Sequence, residues 1–367
     1  MKKNKANSLY IHIPFCESIC DYCDFTKLQY FRIFAKDYLI RLKEQLQNEV
    51  VDINLKTIYV GGGTPTSLED DLFLELLKMI EPYSKSVQEY TFECNPESLS
   101  LKKIEMMKQF GVNRVSIGVE STDDEVLKMI NRHHTFSDVK KVMGLLRENG
   151  INNINLDLIL GLPNVSLKML EKDIKNILSL NPNHISCYSL TVHEHTVFYI
   201  NGINPPSDDF SYEAYKMVND LLCKNGYEHY EVSNWSKPGY RSEHNLTYWR
   251  NDHYYGIGLG AAGYLDNIRY TNTKNLSNYL KGKNKKEEEI VTSSDLEEYQ
   301  IMLNLRTIEG LDLTSFNKIF NKDLYQEKKK EIDSYISSKH LALKNNHLIP
   351  TFEGMMILDK IILDLIN

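Results

Sequence analysis

The chain has 367 residues, of which 42% are hydrophobic and 25% charged, with 18 glycines and 10 prolines; fibres, miniature disulfide scaffolds and a disordered majority are excluded. At roughly 100 to 200 residues per domain, that length predicts two domains. A net charge of -7 supplies no general basic field for a phosphate backbone, so nucleic acid is not an expected partner.

The first apolar stretch, Leu9 to Phe15, contains His12 and Pro14 and is too short for a signal-peptide core. No run approaches about 18 apolar residues, so no transmembrane segment is expected. A cytoplasmic location follows as the expectation, with peripheral membrane contact left open. Short β-branched runs then alternate with helical patterns. Strands are expected at Leu9 to Ile13, Thr57 to Val60, Tyr90 to Cys94, Arg114 to Val119, Ile154 to Leu160 and His184 to Leu190. Helices are expected at Ala35 to Val51, Leu68 to Ile80, Leu101 to Phe110, Phe136 to Asn149 and Leu167 to Leu180. Ser100, Ser137 and Ser166 sit where caps belong, and Gly111 and Gly150 follow helix ends. Six strand-helix units predict an α/β fold with a parallel sheet, and six are too few for a closed eight-unit barrel. The expectation is an open partial barrel over residues 1–230, with its site where the strands end.

Residues 231–280 are rich in aromatics and glycine without a clear period, and read as an irregular extension of ligand-lining or short-strand structure. Residues 281–290 form a charge run that reads as a solvated linker. Helical patterns at Leu296 to Leu305, Leu324 to Ile336 and Phe352 to Ile366 predict a small, mostly helical C-terminal domain over 291–367.

Three of the six cysteines, Cys16, Cys20 and Cys23, form CxxxCxxC directly after the first expected strand. Clustered thiols in one short loop argue for metal binding under reducing conditions and against a dispersed disulfide framework. An iron-sulfur cube usually takes four cysteines, so three leave one iron open. Zinc needs a fourth ligand from a distance, and three unligated thiols are the plain alternative. Cys94, Cys187 and Cys223 lie in or near apolar runs and read as small buried hydrophobes.

This spacing resembles the signature of the radical S-adenosylmethionine superfamily. The resemblance implies a 4Fe-4S cluster whose open iron is chelated by S-adenosylmethionine, with reductive cleavage to a 5'-deoxyadenosyl radical. It also implies that the partial (βα)6 barrel is of the radical-SAM kind. Gly62, Gly63 and Thr64 in VGGGTPTSL resemble the stretch that meets the methionine end of the cofactor. Tyr10, Tyr22, Glu93, Glu120, Arg132 and Asp157 resemble cofactor-contacting positions of the coproporphyrinogen-oxidase-like family, although that family usually has Gln where Glu120 stands.

Segments LYIHIPFCESICDYCDF, GGGTPT, GVNRVSIGVES, LDLILGLP, KPGY, HNLTYW and GIGLGAAGY run in family order. They resemble the branch that holds oxygen-independent coproporphyrinogen III oxidase and the HemW-type haem chaperones. The oxidase pattern adds a fourth cysteine where this chain has Phe25, and a long extension ahead of the cluster. Both differences favour the chaperones. The stretch His244-Asn245-Leu246-Thr247-Tyr248-Trp249 resembles the HNxxYW motif associated with haem in that branch. It implies His244 as an axial iron ligand, with Tyr248, Trp249, Tyr254 and Tyr255 against the porphyrin. The expected partners are a haem-acceptor protein and an electron donor. The rival readings are coproporphyrinogen III decarboxylation and an iron-sulfur sensor without turnover. His193 and His195 would share a face of a strand and can bind metal, but plain surface exposure is the expectation there.

Overall fold

The computed structural model describes residues 6–284 and 287–367. The basic start of the chain and Lys285 and Lys286 of the expected linker therefore lie outside the described residues.

The six expected strands form and lie side by side. They are β1 (Ser8–Ile13), β4 (Thr57–Gly62), β5 (Glu89–Cys94), β6 (Arg114–Glu120), β7 (Asn153–Leu160) and β8 (His184–Ser189), all parallel. Between β1 and β4 come two short strands, β2 (Phe15–Cys16) and β3 (Leu28–Gln29). Helices α1 (Arg32–Glu49), α2 (Asp70–Ile80), α3 (Leu101–Gln109), α4 (Asp124–Met129), α5 (Phe136–Glu148) and α6 (Leu167–Ser179) cross over between strands. The sheet strands are buried on both faces, which is why they read as near-continuous apolar runs. Ser100 and Ser166 cap their helices as expected. Ser137 does not: Thr135 caps α5 through a capping box with Asp138, which places Ser137 inside the helix.

Beyond α7 (Val197–Ile200) and α8 (Asp208–Lys224), the expected irregular extension is largely ordered β-structure. Strands β9 (Glu228–Glu231) and β10 (Asn234–Ser236) continue the sheet antiparallel beyond β8. Helix α9 (Glu243–Trp249) then leads to β11 (Tyr254–Ile257), which pairs parallel with the free side of β1. β12 (Ala262–Leu265), β13 (Ile268–Thr271) and β14 (Glu287–Ile290) follow antiparallel, giving the order β14-β13-β12-β11-β1-β4-β5-β6-β7-β8-β10-β9. The barrel thus has a seventh parallel strand and stays open. Residues 287–290 of the expected linker form the exposed edge strand β14, where three glutamates blunt the edge.

A second hydrophobic core, separate from the barrel's, gathers Ile301, Leu305, Phe316, Ile332, Leu348 and Ile361. Helices at Ser293–Asn304, Leu313–Phe320, Leu324–Glu327, Lys329–Ser337, Phe352–Met356 and Leu358–Ile366 surround it, together with a small sheet of β15 (Leu311–Asp312), β16 (Leu341–Lys344) and β17 (His347–Pro350). Among the described residues no helix is long and apolar enough to cross a membrane.

Candidate functional site

The C-terminal ends of the parallel strands open on one cavity of about 340 Å3. The cysteine loop forms one wall. Its base is closed by β2 pairing with β3, with Leu28 N–H donating to Pro14 O (2.7 Å) and Tyr30 N–H to Cys16 O (2.8 Å). Asn131 Nδ2 donates to Ile19 O (2.8 Å), and Phe198 N–H to Asp21 O (3.0 Å), so neighbours on both sides hold the loop. Cys16, Cys20 and Cys23 all line the cavity. Burial pushes the Cys16 thiol up to about 12 and raises Cys20 and Cys23 as well. Thr64 Oγ1 donates to Cys16 Sγ (3.8 Å) and Arg132 Nη1 to Cys20 Sγ (3.7 Å), contacts that favour thiolates.

Among the described residues no three His, Cys, Asp or Glu side chains converge tightly enough to share one ion. Three thiols of one loop lining one cavity are the donor set that an iron-sulfur cluster takes, with each thiolate on its own iron.

The adjoining wall is the glycine turn. A Cβ on Gly63 would lie 2.9 Å from Cys16 Sγ and 2.8 Å from the Pro14 carbonyl carbon, so only glycine lets this backbone approach the cysteine loop. Gly62 has φ +117°, and its N–H donates to Glu93 Oε2 (3.0 Å). Tyr59 OH donates to Glu93 Oε1 (2.7 Å). Burial still pushes the Glu93 carboxyl up to about 7.

Between these walls Arg132 is buried, reaching Asn95 Oδ1 (3.0 Å), Gly118 O and the Glu120 carboxylate (3.3 Å). Glu120 sits at φ +65° in a bulge of β6, and the Tyr22 hydroxyl also reaches it. The ion pair with Arg132 offsets the charge that the Glu120 carboxylate brings into the cavity. Burial raises the Glu120 carboxyl while Arg132 pulls it down. Asp157 accepts from Ser116 Oγ (2.9 Å) and Asn155 Nδ2 (2.7 Å).

Gly62, Gly63, Thr64, Tyr22, Glu93, Glu120, Arg132 and Asp157 therefore meet in one cavity with the three cysteines. Tyr10 does not line it; its hydroxyl bonds His12 Nδ1 (2.9 Å) inside the barrel. Sequence reasoning passed over Tyr59 and Asn95. Their signal was position, since Asn95 follows β5 directly and its Nδ2 donates to Thr64 Oγ1 (3.2 Å). Cys94 and Cys187 are buried as expected, whereas Cys223 is exposed on α8.

The structure does not bring His244 to a ligand surface. Its ring is fully buried at the N-terminal end of the barrel, opposite the cysteines, and stacks on Tyr59 at 5.1 Å. Thr57 spends its hydroxyl proton on Ser8 Oγ (2.9 Å), so His244 Nδ1–H donates to Thr57 Oγ1 (2.8 Å) and Nε2 accepts from Tyr248 OH (2.8 Å). With both nitrogens hydrogen-bonded inside the barrel, the imidazole is not presented at a surface. Burial pushes its imidazole down to about 3. Tyr248 and Tyr254 pack on each other at 4.7 Å and Tyr255 is buried, so these rings form no open porphyrin shelf. Glu89 fixes this corner by accepting the backbone N–H groups of Glu243 (2.9 Å) and His244 (3.0 Å) at the start of α9.

Residues 10–177 match the family model of the Radical SAM superfamily. The chain is 36% identical to the heme chaperone HemW of Lactococcus lactis over 99% of each chain. It is 38% identical to that of Bacillus subtilis, covering 86% of this chain and 88% of the relative. For the heme chaperone HemW of Escherichia coli the identity is 35%, over 86% of each. Among solved structures, the coproporphyrinogen III oxidase HemN of Escherichia coli superposes with a TM-score of 0.83, covering 98% of this chain and 89% of that one. At 21% identity, this likeness speaks to the fold alone.

Proposed function

The chain belongs to the Radical SAM superfamily and, within it, to the family of HemW heme chaperones, and we propose on that premise that it binds haem and passes it to an acceptor protein. The observation that carries this reading is end-to-end similarity to the chaperones combined with Phe25, 65% exposed, at the position of the oxidase's fourth cysteine.

Cys16, Cys20 and Cys23 would hold a 4Fe-4S cluster. Gly62, Gly63, Thr64, Glu93, Glu120, Arg132 and Asp157 would hold S-adenosylmethionine. When bound, that pair supplies one-electron chemistry. The chain's own part is placement. The glycine turn offers close backbone approach, Glu93 offers an acceptor for a cationic amine, and buried Arg132 offers donors toward both a carboxylate and Cys20.

The experiment is anaerobic incubation of the reconstituted protein with haem and, separately, with coproporphyrinogen III, S-adenosylmethionine and a reductant. Stoichiometric haem binding and transfer to an apo-haemoprotein, without decarboxylation, is the expected outcome. Catalytic formation of protoporphyrinogen IX would replace this reading with the oxidase.

A further inference from the structure

Behind the glycine turn lies a buried lysine. Lys103 of α3 is 8% exposed, and a lysine is almost never buried without partners that hold its charge. Its Nζ donates to Thr66 O (2.6 Å) and to Ser98 O (3.1 Å), and sits 6.0 Å from the centroid of the Phe73 ring. Two carbonyls that each need a proton can be joined only by a group with at least two to give, which an ammonium has.

The carbonyls belong to a matched pair of turns. Thr64-Pro65-Thr66-Ser67 follows β4, and Asn95-Pro96-Glu97-Ser98 follows β5. Each opens a short 3-10 turn on its proline, Pro65–Ser67 and Pro96–Ser98, with an extended Thr64 or Asn95 ahead of it. Thr66 Oγ1 and Ser98 Oγ lie 2.6 Å apart, so the turns also meet through their hydroxyls. The ladder between β4 and β5 ends at Val60 and Phe92, which leaves the spacing of the turns to the side chains that span them.

The residues ahead of the two prolines face the thiols. Thr64 Oγ1 donates to Cys16 Sγ, and Asn95 joins Thr64 to Arg132, which in turn reaches Cys20 Sγ. Lys103 touches none of these groups and does not line the cavity. Its reach is one turn further back, at the carbonyls that fix where Thr64 and Asn95 stand.

We propose, on the reading that this cavity holds an iron-sulfur cluster and S-adenosylmethionine, that Lys103 is a positioning residue for that site: by clamping Thr66 O and Ser98 O it sets the distance between the two turns and so the stance of Thr64 and Asn95 against the cysteine loop. Methionine at this position keeps an unbranched stem and removes every donor. Arginine keeps donors and charge in a different shape.

The test uses the full chain with its cluster reconstituted anaerobically. Iron content, melting temperature, S-adenosylmethionine affinity and the electron paramagnetic resonance spectrum of the reduced cluster, with and without S-adenosylmethionine, are recorded for each variant. Lys103→Met should keep its iron, bind S-adenosylmethionine about tenfold more weakly and change the spectrum of the S-adenosylmethionine-bound form. Lys103→Arg should recover most of the affinity and the wild-type spectrum. Lys102→Met removes an exposed lysine that pairs with Asp70 (2.9 Å), and should match wild type. Where Lys103→Met does not fold, Lys103→Gln takes its place, with a shorter neutral donor and the same direction of change. Wild-type affinity and spectrum in a folded Lys103→Met or Lys103→Gln would overturn the assignment. A lowered melting temperature with both unchanged would overturn it too, since that is a core brace and nothing more. Equal losses in the methionine and arginine variants would also overturn it, because the donors would then not matter. Wild type that holds no cluster, or whose spectrum ignores S-adenosylmethionine, would remove the cofactor reading and this inference together.

Discussion

Replacing His244 with Ala should damage folding stability and leave haem ligation in the remaining folded protein unchanged. The imidazole makes two buried hydrogen bonds, to Thr57 Oγ1 and from Tyr248 OH, and stacks on Tyr59. Removing one partner of a buried hydrogen bond costs about 1 to 3 kcal/mol, because the group left behind keeps its desolvation penalty. Two such losses, with a ring stack of about 0.5 to 1.5 kcal/mol, come to about 2.5 to 7.5 kcal/mol. A typical domain has only about 5 to 15 kcal/mol in total. Urea unfolding followed by circular dichroism should therefore show a midpoint shifted far down, or a largely unfolded variant. Thr57→Val alone should cost less, since His244 keeps its bond with Tyr248. Combining Thr57→Val with His244→Phe should cost less than the two separate changes added, because the stranded Thr57 hydroxyl is then gone. A His244→Ala protein with wild-type stability and an altered Soret band would refute this structural role and restore the imidazole as an iron ligand.

The other expectations concern the cavity and its titrating groups. Cys16→Ala, Cys20→Ala and Cys23→Ala should each abolish the anaerobic brown chromophore, while Cys187→Ala, at a buried position outside the cavity, should keep it; iron counts and visible spectra decide. The Glu93 carboxyl, pushed up to about 7 by burial, is largely protonated below that pH, so S-adenosylmethionine affinity should rise as pH increases from about 6 to about 8. Glu93→Gln should flatten that dependence and weaken binding roughly tenfold by calorimetry. Burial holds His244 near 3, and His12 and His229 near 4, against about 6.5 unfolded, so these groups contribute stability above pH 6.5 that is lost as pH falls toward 4. Glu231, pushed up to about 8 by burial, acts in the opposite sense: its contribution is present below about 4.5 and lost as pH rises to 8. Glu231→Gln should flatten the alkaline side of a stability-pH curve measured by urea titration.

The parallel strands were legible because they are buried on both faces, which leaves β-branched runs such as those at Arg114–Glu120 and Asn153–Leu160 bounded by helix signals. The cysteine loop was legible because its three thiols are local in sequence. β11 was not, since Tyr-Tyr-Gly-Ile has no periodicity of its own and becomes a strand only through pairing with β1 at the far end of the chain. A Cβ on Gly256 would collide with the Ala262 carbonyl, a constraint set by the neighbouring strand and invisible in one dimension. The HNLTYW segment marks His244 as special without revealing that Thr57 and Tyr248 consume both nitrogens.

The pairing of β11 with β1 fixes an order of assembly. During synthesis β1 can pair with β4 once residues 57–62 have emerged, yet its other edge has no partner until residues 254–257 are made. At about 5 to 20 residues per second, the edge of β1 that Tyr254–Ile257 later covers stays open on the ribosome for on the order of ten seconds or more. An unpaired, apolar strand edge is a template for aggregation. A chain that stops near residue 230 would keep it permanently, along with the polar corner of Ser8 and Thr57 that Thr247 and His244 complete. The barrel's first strand is thus finished only after most of the protein exists.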